Sequence, residues 1–272
     1  MKALKKLIPA AAMLLLCAAM MTTATFAWFN MNQSVGVDTG TTNVTAPTNI
    51  QIAKWSKTDN VYTLGEYSAK ADFSDPADTV PILPATVKND AGALKWQTTS
   101  TAGNDGAAVG NLTDLTLDDD GIAGGVQYFK KFEMNIKNIG GATIDVKLDP
   151  TVAVSPKEAV DVTPSPDLYK SVCFMIFVGT VGSTAPTTTA VGATPVIVWD
   201  DGSDMQTADS LIKGSVTDKT AKFVTLEAQQ NANVTVIAWM EGEKKACANN
   251  NVKSDALAFG LTLSLKADAV TA

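Results

Sequence analysis

The chain has 272 residues, with 21 basic and 28 acidic side chains, a formal net charge of −7 and no histidine. Every basic residue is a lysine, so no guanidinium is present for bidentate recognition of phosphates or guanine edges. The lack of histidine excludes Ser-His-Asp and Cys-His catalysis and the HExxH zinc site. Since an acidic surface also repels nucleic acid and anionic lipid, we expect no nucleic-acid partner and no enzyme activity. Catalysis by paired carboxylates alone is the exception that composition leaves open.

The first 27 residues have the pattern of a secretory signal peptide. Three lysines precede an apolar run over residues 7–21, and the small residue Ala27 ends the segment. A run of about 15 apolar residues is shorter than the roughly 20 that a spanning helix needs, so we predict cleavage between Ala27 and Trp28. An uncleaved anchor is the alternative. Cleavage leaves 18 lysines against 28 acids, a net charge of −10, which favours solubility outside the cell.

Most of the remaining chain has the periodicity of short strands. Residues 128–149 alternate apolar and polar positions on both sides of an Asn-Ile-Gly-Gly turn, which predicts two antiparallel strands. Residues 171–179 are apolar at almost every position, which predicts a strand buried on both faces. Four further strand segments are predicted at 194–204, 221–228, 232–242 and 255–267. Helical patterns are confined to two short segments, 164–171 and 203–214.

These elements predict an all-β fold, an antiparallel two-sheet sandwich of jelly-roll type with long loop insertions. We divide the chain into a signal peptide at 1–27, an N-terminal strand segment at 28–47 and one sandwich domain at 48–272. Residues 57–125, rich in Gly, Asp, Thr and Ala, are interpreted as an insertion between early strands. Residues 181–195 are interpreted as a second long loop.

Two cysteines, Cys173 and Cys247, remain after the predicted cleavage. In an exported protein they are candidates for a disulfide. The alternative is that Cys173, which lies in a strongly apolar run, is a small buried hydrophobe with a reduced thiol.

Two acidic clusters are candidates for calcium. Asp118 and Asp120 precede a glycine, and Asp200 and Asp204 surround another. Calcium prefers several oxygen ligands that converge from one turn, but neither cluster has the twelve-residue EF-hand spacing, and Asp-Gly is first of all a turn signal. We interpret both clusters as turns and keep Ca²⁺ as the one cofactor candidate.

Three segments resemble the TasA/camelysin-like secreted proteins of Gram-positive bacteria, which a dedicated signal peptidase, SipW, processes. Residues 25–35 (TFAWFNMNQSV) are similar to that family's processing site. Residues 130–149 are similar to its strand–Asn-x-Gly–strand signature, and residues 256–269 to its apolar last strand. The key positions of the signature are Phe132, Asn138, Gly140 and Val146.

The resemblance implies a secreted jelly-roll subunit that polymerises into extracellular or biofilm-matrix fibres of a Gram-positive bacterium. It implies that the N-terminal strand of one subunit completes a sheet of the next, with Trp28 and Phe29 as anchors and Val35, Val37 and Val44 as apolar contacts. Strand addition is physically favourable because it pairs an open sheet edge. Pairing of this segment within its own subunit and a frayed terminus are the alternatives.

The partners implied are other copies of the chain, other matrix proteins or cell-surface components, and the membrane only during export. The resemblance does not extend to the metalloprotease activity catalogued for camelysin, since this chain has no histidine and no metal-ligand spacing. A different function is also open, that of a monomeric secreted or cell-surface binding module for carbohydrate or a host surface. Trp55 and Trp96 would then stack on sugar rings, unless both are core residues.

Overall fold

The structure is a computed structural model that describes residues 43–45, 49–59, 61–73, 82–90, 93–99, 112–148, 153–156, 171–183, 195–199, 222–242, 244 and 259–270. The strands within these residues are β1 Asn43–Thr45, β2 Ile50–Thr58, β3 Val61–Leu64, β4 Lys70–Asp72, β5 Thr86–Asp90, β6 Ala93–Thr99, β7 Leu112–Leu115, β8 Ile122–Ala123, β9 Val126–Gln127, β10 Phe129–Asn138, β11 Ile144–Leu148, β12 Ala153–Pro156, β13 Val172–Val178, β14 Ile197–Trp199, β15 Lys222–Leu226, β16 Asn231–Met240 and β17 Phe259–Ala269. Over the same residues we find no helix with the length and apolar character of a membrane span.

The strands form three layers and one small hairpin. The outer sheet has the order β15-β11-β17-β1-β4, with β12 also paired to β17. The central sheet has the order β14-β13-β16-β10-β2-β3, the cover sheet has the order β5-β6-β7, and β8 pairs with β9. Strand pairs are antiparallel except for β1 with β17, which is parallel. The all-β prediction with antiparallel sheets is therefore confirmed.

The main core lies between the outer and central sheets. Alternate positions of each strand point into it, as the period of two predicts. On the central sheet, Phe174 stacks on Trp199 with ring centroids 5.0 Å apart. Each aliphatic or aromatic side chain buried here contributes about 1.5–3 kcal/mol relative to exposure. The core includes Val44, Ile50, Ile52, Met134, Ile136, Ile144, Val146, Leu148, Val234, Val236, Leu263 and Leu265.

A second core lies on the opposite face of the central sheet, beneath the cover sheet. Trp96 of β6 packs on Phe129 and Trp239 at centroid distances of 4.9 and 5.7 Å. Cys173 and Met175 of β13 also point into this core. Both faces of β13 are thus buried, which confirms the prediction for residues 171–179. The expectation of two sheets was incomplete, because the predicted insertion at 57–125 contains the strands of a third layer.

The two strands on either side of the Asn-Ile-Gly-Gly turn exist, but they do not pair with each other. β10 belongs to the central sheet and β11 to the outer sheet, so the chain crosses from one sheet to the other at a corner. The pattern predicted both strands but not their partners, because alternation fixes which face of a strand is apolar but not which strand lies beside it. Met134 and Ile136 of β10 instead face Ile144 and Val146 of β11 across the main core.

Asn138 organises this corner. Its side chain is fully buried, and its amide nitrogen lies 2.8 Å from the carbonyl oxygen of Ala142 and 2.9 Å from that of Glu227. A third carbonyl oxygen, of Leu226, lies 3.2 Å away. The amide oxygen of Asn138 accepts a hydrogen bond of 2.9 Å from the backbone N–H of Gly140. One side chain thereby closes the turn and ties it to the end of β15.

The other predicted strands are confirmed as β14, β15, β16 and β17. The helical patterns at 164–171 and 203–214 lie outside the described residues, apart from Ser171.

Candidate functional site

β1 fills a slot in the outer sheet between β17 and β4. Val44 lies opposite Leu263 of β17 in parallel register and opposite Ala71 of β4 in antiparallel register. All three side chains are buried, and Val44 is only 1% exposed. We call this position, defined by residues 43–45 and their two neighbouring strands, the β1 slot.

Of the residues predicted for the subunit contact, the structure describes one, Val44, and this residue lies in the β1 slot. In this structure Val44 pairs within its own chain, as in the alternative of intramolecular pairing. Trp28, Phe29, Val35 and Val37 lie outside the described residues, as does the predicted cleavage site after Ala27. β1 is thus an inner strand of the outer sheet, between β17 and β4.

The sheet edges are short or irregular where they are described. β4 has three residues, with Lys70 and Asp72 exposed. β15 shifts register against β11 between Val146 and Lys147. Short, charged or irregular edges resist addition of foreign strands. β3, at the edge of the central sheet, has no charged residue and begins at Val61, which is 64% exposed.

A second feature is a charged groove of about 400 Å³ at the place where β2 and β10 separate. The two strands pair from Asn138–Ile50 to Met134–Lys54. Beyond that point β2 continues to Thr58, paired with β3 on its other edge, and has no described partner on the β10 side. The charged groove is lined by Lys54, Trp55, Ser56, Lys57, Phe73, Asp120, Gln127, Lys130, Lys131, Phe132 and Glu133.

Asp120 links the two walls of the charged groove. Its carboxylate lies 3.5 Å from Lys57 Nζ on β2 and 3.4 Å from Lys131 Nζ on β10. This carboxylate raises the pKa of Lys57 above its ordinary value. Lys131 also lies 3.8 Å from Glu133 Oε1. Burial raises the pKa of Glu133, and the charge of Lys131 opposes that shift only in part.

Asp118 occupies a turn, as its Asp-Gly context predicts. Its carboxylate accepts hydrogen bonds from the backbone N–H groups of Asp120, at 3.0 Å, and Ile122, at 2.8 Å. Gly121 in this turn has a φ of +79°, and a Cβ there would lie 2.7 Å from the ring of Phe129. The carboxylate of Asp118 thus holds the turn, whereas that of Asp120 binds lysines.

No group of three or more metal-ligating side chains is found in the part of the chain that the structure describes. Asp200 and Asp204 lie outside that part. Calcium binding at either acidic cluster stays a prediction.

Cys173 is fully buried in the second core, with its Sγ 3.5 Å from the carbonyl oxygen of Ser171. Cys247 lies outside the described residues. The disulfide between them stays a prediction.

Both tryptophans considered for sugar stacking are core residues. Trp55 is 8% exposed and donates its indole N–H to Asn233 Oδ1 at 3.0 Å. Trp96 is 2% exposed beneath the cover sheet. The core alternative is confirmed for both, because neither ring offers a free face to a sugar.

Little in the sequence indicates the charged groove. Its residues come from four separate stretches of the chain, and only the pair Lys130–Lys131 is visible as a local charge pattern. Glu133 looked like one polar position of an alternating strand.

The buried carboxyl of Glu133 makes stability depend on pH. Because its pKa is raised on folding, the folded chain holds this proton more tightly than the unfolded chain does, and stability falls as pH rises through that window. We expect Glu133→Gln to be more stable than the parent chain at about pH 7 and equal to it below about pH 4, where both states are protonated. Urea denaturation at both pH values measures the free energy of unfolding of the variant and of the parent chain.

The matched control for that measurement is Glu227→Gln, at an exposed position. A Glu133→Gln chain that loses stability at pH 7 would show that the contact with Lys131 outweighs the cost of burial.

No family model, no curated protein and no solved structure matches the chain in the three comparisons made.

Proposed function

We propose that the chain is a secreted structural subunit that polymerises into extracellular fibres, with copies exchanging their N-terminal strands, and that its two larger sheets form a sandwich of jelly-roll type. The observation that carries the proposal is the β1 slot. It accepts a three-residue strand between two strands that are distant in sequence, and it buries Val44 in the main core.

Exchange of β1 needs no new contacts. A β1 from a second copy has the same sequence and would make the same hydrogen bonds with β17 and β4, so the exchange costs little enthalpy. Residues 46–49 connect β1 to β2 and include Pro47, and short hinges of this kind favour swapping. If each copy receives β1 from one neighbour and donates its own β1 to another, repeated exchange gives an open chain of subunits.

The resemblance to the TasA/camelysin-like proteins supports the same function and adds its setting. We propose export through a cleaved signal peptide and assembly outside a Gram-positive cell, with other copies as the main partner and no enzyme activity. The binding-module alternative loses its candidate residues, since Trp55 and Trp96 are buried.

A disulfide across the β1 slot tests the exchange directly. Val44 and Ala71 are antiparallel partners, whose Cα atoms are about 4.5–5.5 Å apart in such pairs, within the range of a disulfide. We expect the mature chain from Trp28 with Val44→Cys and Ala71→Cys, in a Cys247→Ser background, to assemble and then oxidise to a ladder of multimers. Non-reducing denaturing electrophoresis detects the ladder, and reduction should collapse it.

The Val44→Cys single variant, in the same background, is the matched control and should give no ladder beyond dimer. Negative-stain electron microscopy follows filaments in parallel, and a chain that begins at Thr48 should form none. Adding a peptide of residues 28–47 to that short chain should restore its thermal stability. If the double variant oxidises only to a monomer while filaments are present, β1 stays in its own slot and the proposal is wrong.

A further inference from the structure

We propose that the charged groove is a binding site for a small hydroxylated carboxylate, the chemical class that includes the uronic acids. This inference is independent of strand exchange, since the charged groove lies in the central sheet and the β1 slot in the outer sheet.

The charged groove is the end of a β-ladder. Lys57 and Lys131 would be the third pair after Met134–Lys54 if β2 and β10 continued side by side. The backbone of Gly65 donates to Lys54, which places the peptide groups of Lys54 toward β3. Since peptide groups alternate in direction along a strand, those of Lys57 face the gap, as do those of Lys131. The groove therefore combines a polar backbone floor with side-chain walls.

Its charge favours an anion. Lys54, Lys57 and Lys131 line the groove with the two acids Asp120 and Glu133, in a chain whose net charge is −7. Asp120 demonstrates that a carboxylate group fits between ammonium groups from both walls, at 3.5 and 3.4 Å. A small anion is therefore drawn to this concave site, while the rest of the acidic surface repels it.

Glu133 is the reason to expect a hydroxyl group on the ligand. Its side chain is 10% exposed and lines the groove. Its Oε1 is buried and accepts no hydrogen bond from any described residue, and the nearest ammonium, of Lys131, is 3.8 Å away. A buried acceptor without a donor is unfavourable, so a ligand that donates an O–H to Oε1 regains a hydrogen bond that a bare carboxylate cannot supply.

The size and remaining walls suit a sugar acid. A volume of about 400 Å³ lies within the range of small-molecule sites, roughly 300–1,000 Å³. Phe73 and Phe132, which are 5% and 7% exposed, form the apolar end of the groove. The ammonium group of Lys54 lies 5.5 Å from the ring centroid of Phe73. A positive charge therefore lies beside the apolar end of the groove as well.

The experiment is a calorimetric titration of the mature chain from Trp28 with galacturonate. Galactose, with the hydroxyls but no charge, and acetate, with the charge but no hydroxyls, are the comparison ligands. We expect galacturonate to bind roughly tenfold more tightly than either. A galacturonate trimer distinguishes the source: it should bind more tightly than the monomer if the natural ligand is a polysaccharide, and equally if the ligand is a free sugar acid.

Four variants assign the site. Lys57→Met should weaken galacturonate binding about tenfold, whereas Lys222→Met, an exposed lysine on β15 of the outer sheet, should leave it unchanged. Glu133→Met should remove the preference for galacturonate over acetate. Asp120→Asn frees Lys57 and Lys131 and should tighten binding, a result that loss of structure cannot produce.

Equal affinity for the three ligands, or equal effects of Lys57→Met and Lys222→Met, would overturn the proposal.

Discussion

Asn138→Asp is expected to lower the free energy of unfolding by on the order of 4 kcal/mol, because it removes the donor that satisfies buried carbonyl groups at the corner. A buried acceptor left without a partner costs about 1–3 kcal/mol, and the new carboxylate faces carbonyl oxygens that repel it. Asn138→Ala should cost about 3 kcal/mol, since it removes the same donor without adding a charge.

Urea denaturation at neutral pH measures both losses. The control is Gln229→Ala, because Gln229 reaches the same turn from the exposed side and donates to the Ile139 carbonyl at 3.0 Å. We expect the control to lose less than about 1 kcal/mol. An Asn138→Asp chain as stable as the control would mean that the corner is held by packing alone.

Trp96→Ala should cost about 3–5 kcal/mol and loosen the cover sheet selectively. The indole packs against Phe129 and Trp239, so its removal leaves a cavity between the cover sheet and the central sheet. Contacts that define the main core are untouched. Amide hydrogen exchange should therefore speed up in β5, β6 and β7 while β11 and β17 keep their protection.

Trp96→Phe is the matched control for the cover sheet. The indole N–H of Trp96 has no acceptor among the described residues, so replacing it with phenyl loses ring volume but no hydrogen bond. We expect this variant to cost about 1 kcal/mol. If exchange speeds up equally in all three layers of Trp96→Ala, the cover sheet and the sandwich unfold as one cooperative unit.

The strands themselves could be predicted because their signals are local. Alternation at 132, 134 and 136 is contained in one strand, and so is the continuous apolar run of β13. The run even predicted burial on both faces, although the layer that covers the second face was not anticipated. The Asp118 turn was predicted from Asp-Gly alone, because the side chain of Asp118 binds backbone groups only two and four residues ahead.

The candidate sites were harder to predict, because they depend on pairing. An apolar residue such as Val44 fits a slot in its own chain and in another equally well, and the sequence does not distinguish the two. The charged groove exists because the pairing of β2 with β10 ends at Lys54 although both strands continue, and no local pattern encodes where that pairing ends.

By itself, the sequence determined most of the strands after residue 128, the apolar face of each of them and the exclusion of histidine-based chemistry, since these follow from residue types and a period of two. Only the tertiary structure decided that the chain crosses between sheets at Asn138, that β5 to β7 form a third layer, and that Lys57, Asp120, Lys131 and Glu133 meet in one groove. The physical reason is that strand pairing is non-local: backbone hydrogen bonds are the same for every residue, so partners are selected by the packing of the whole core.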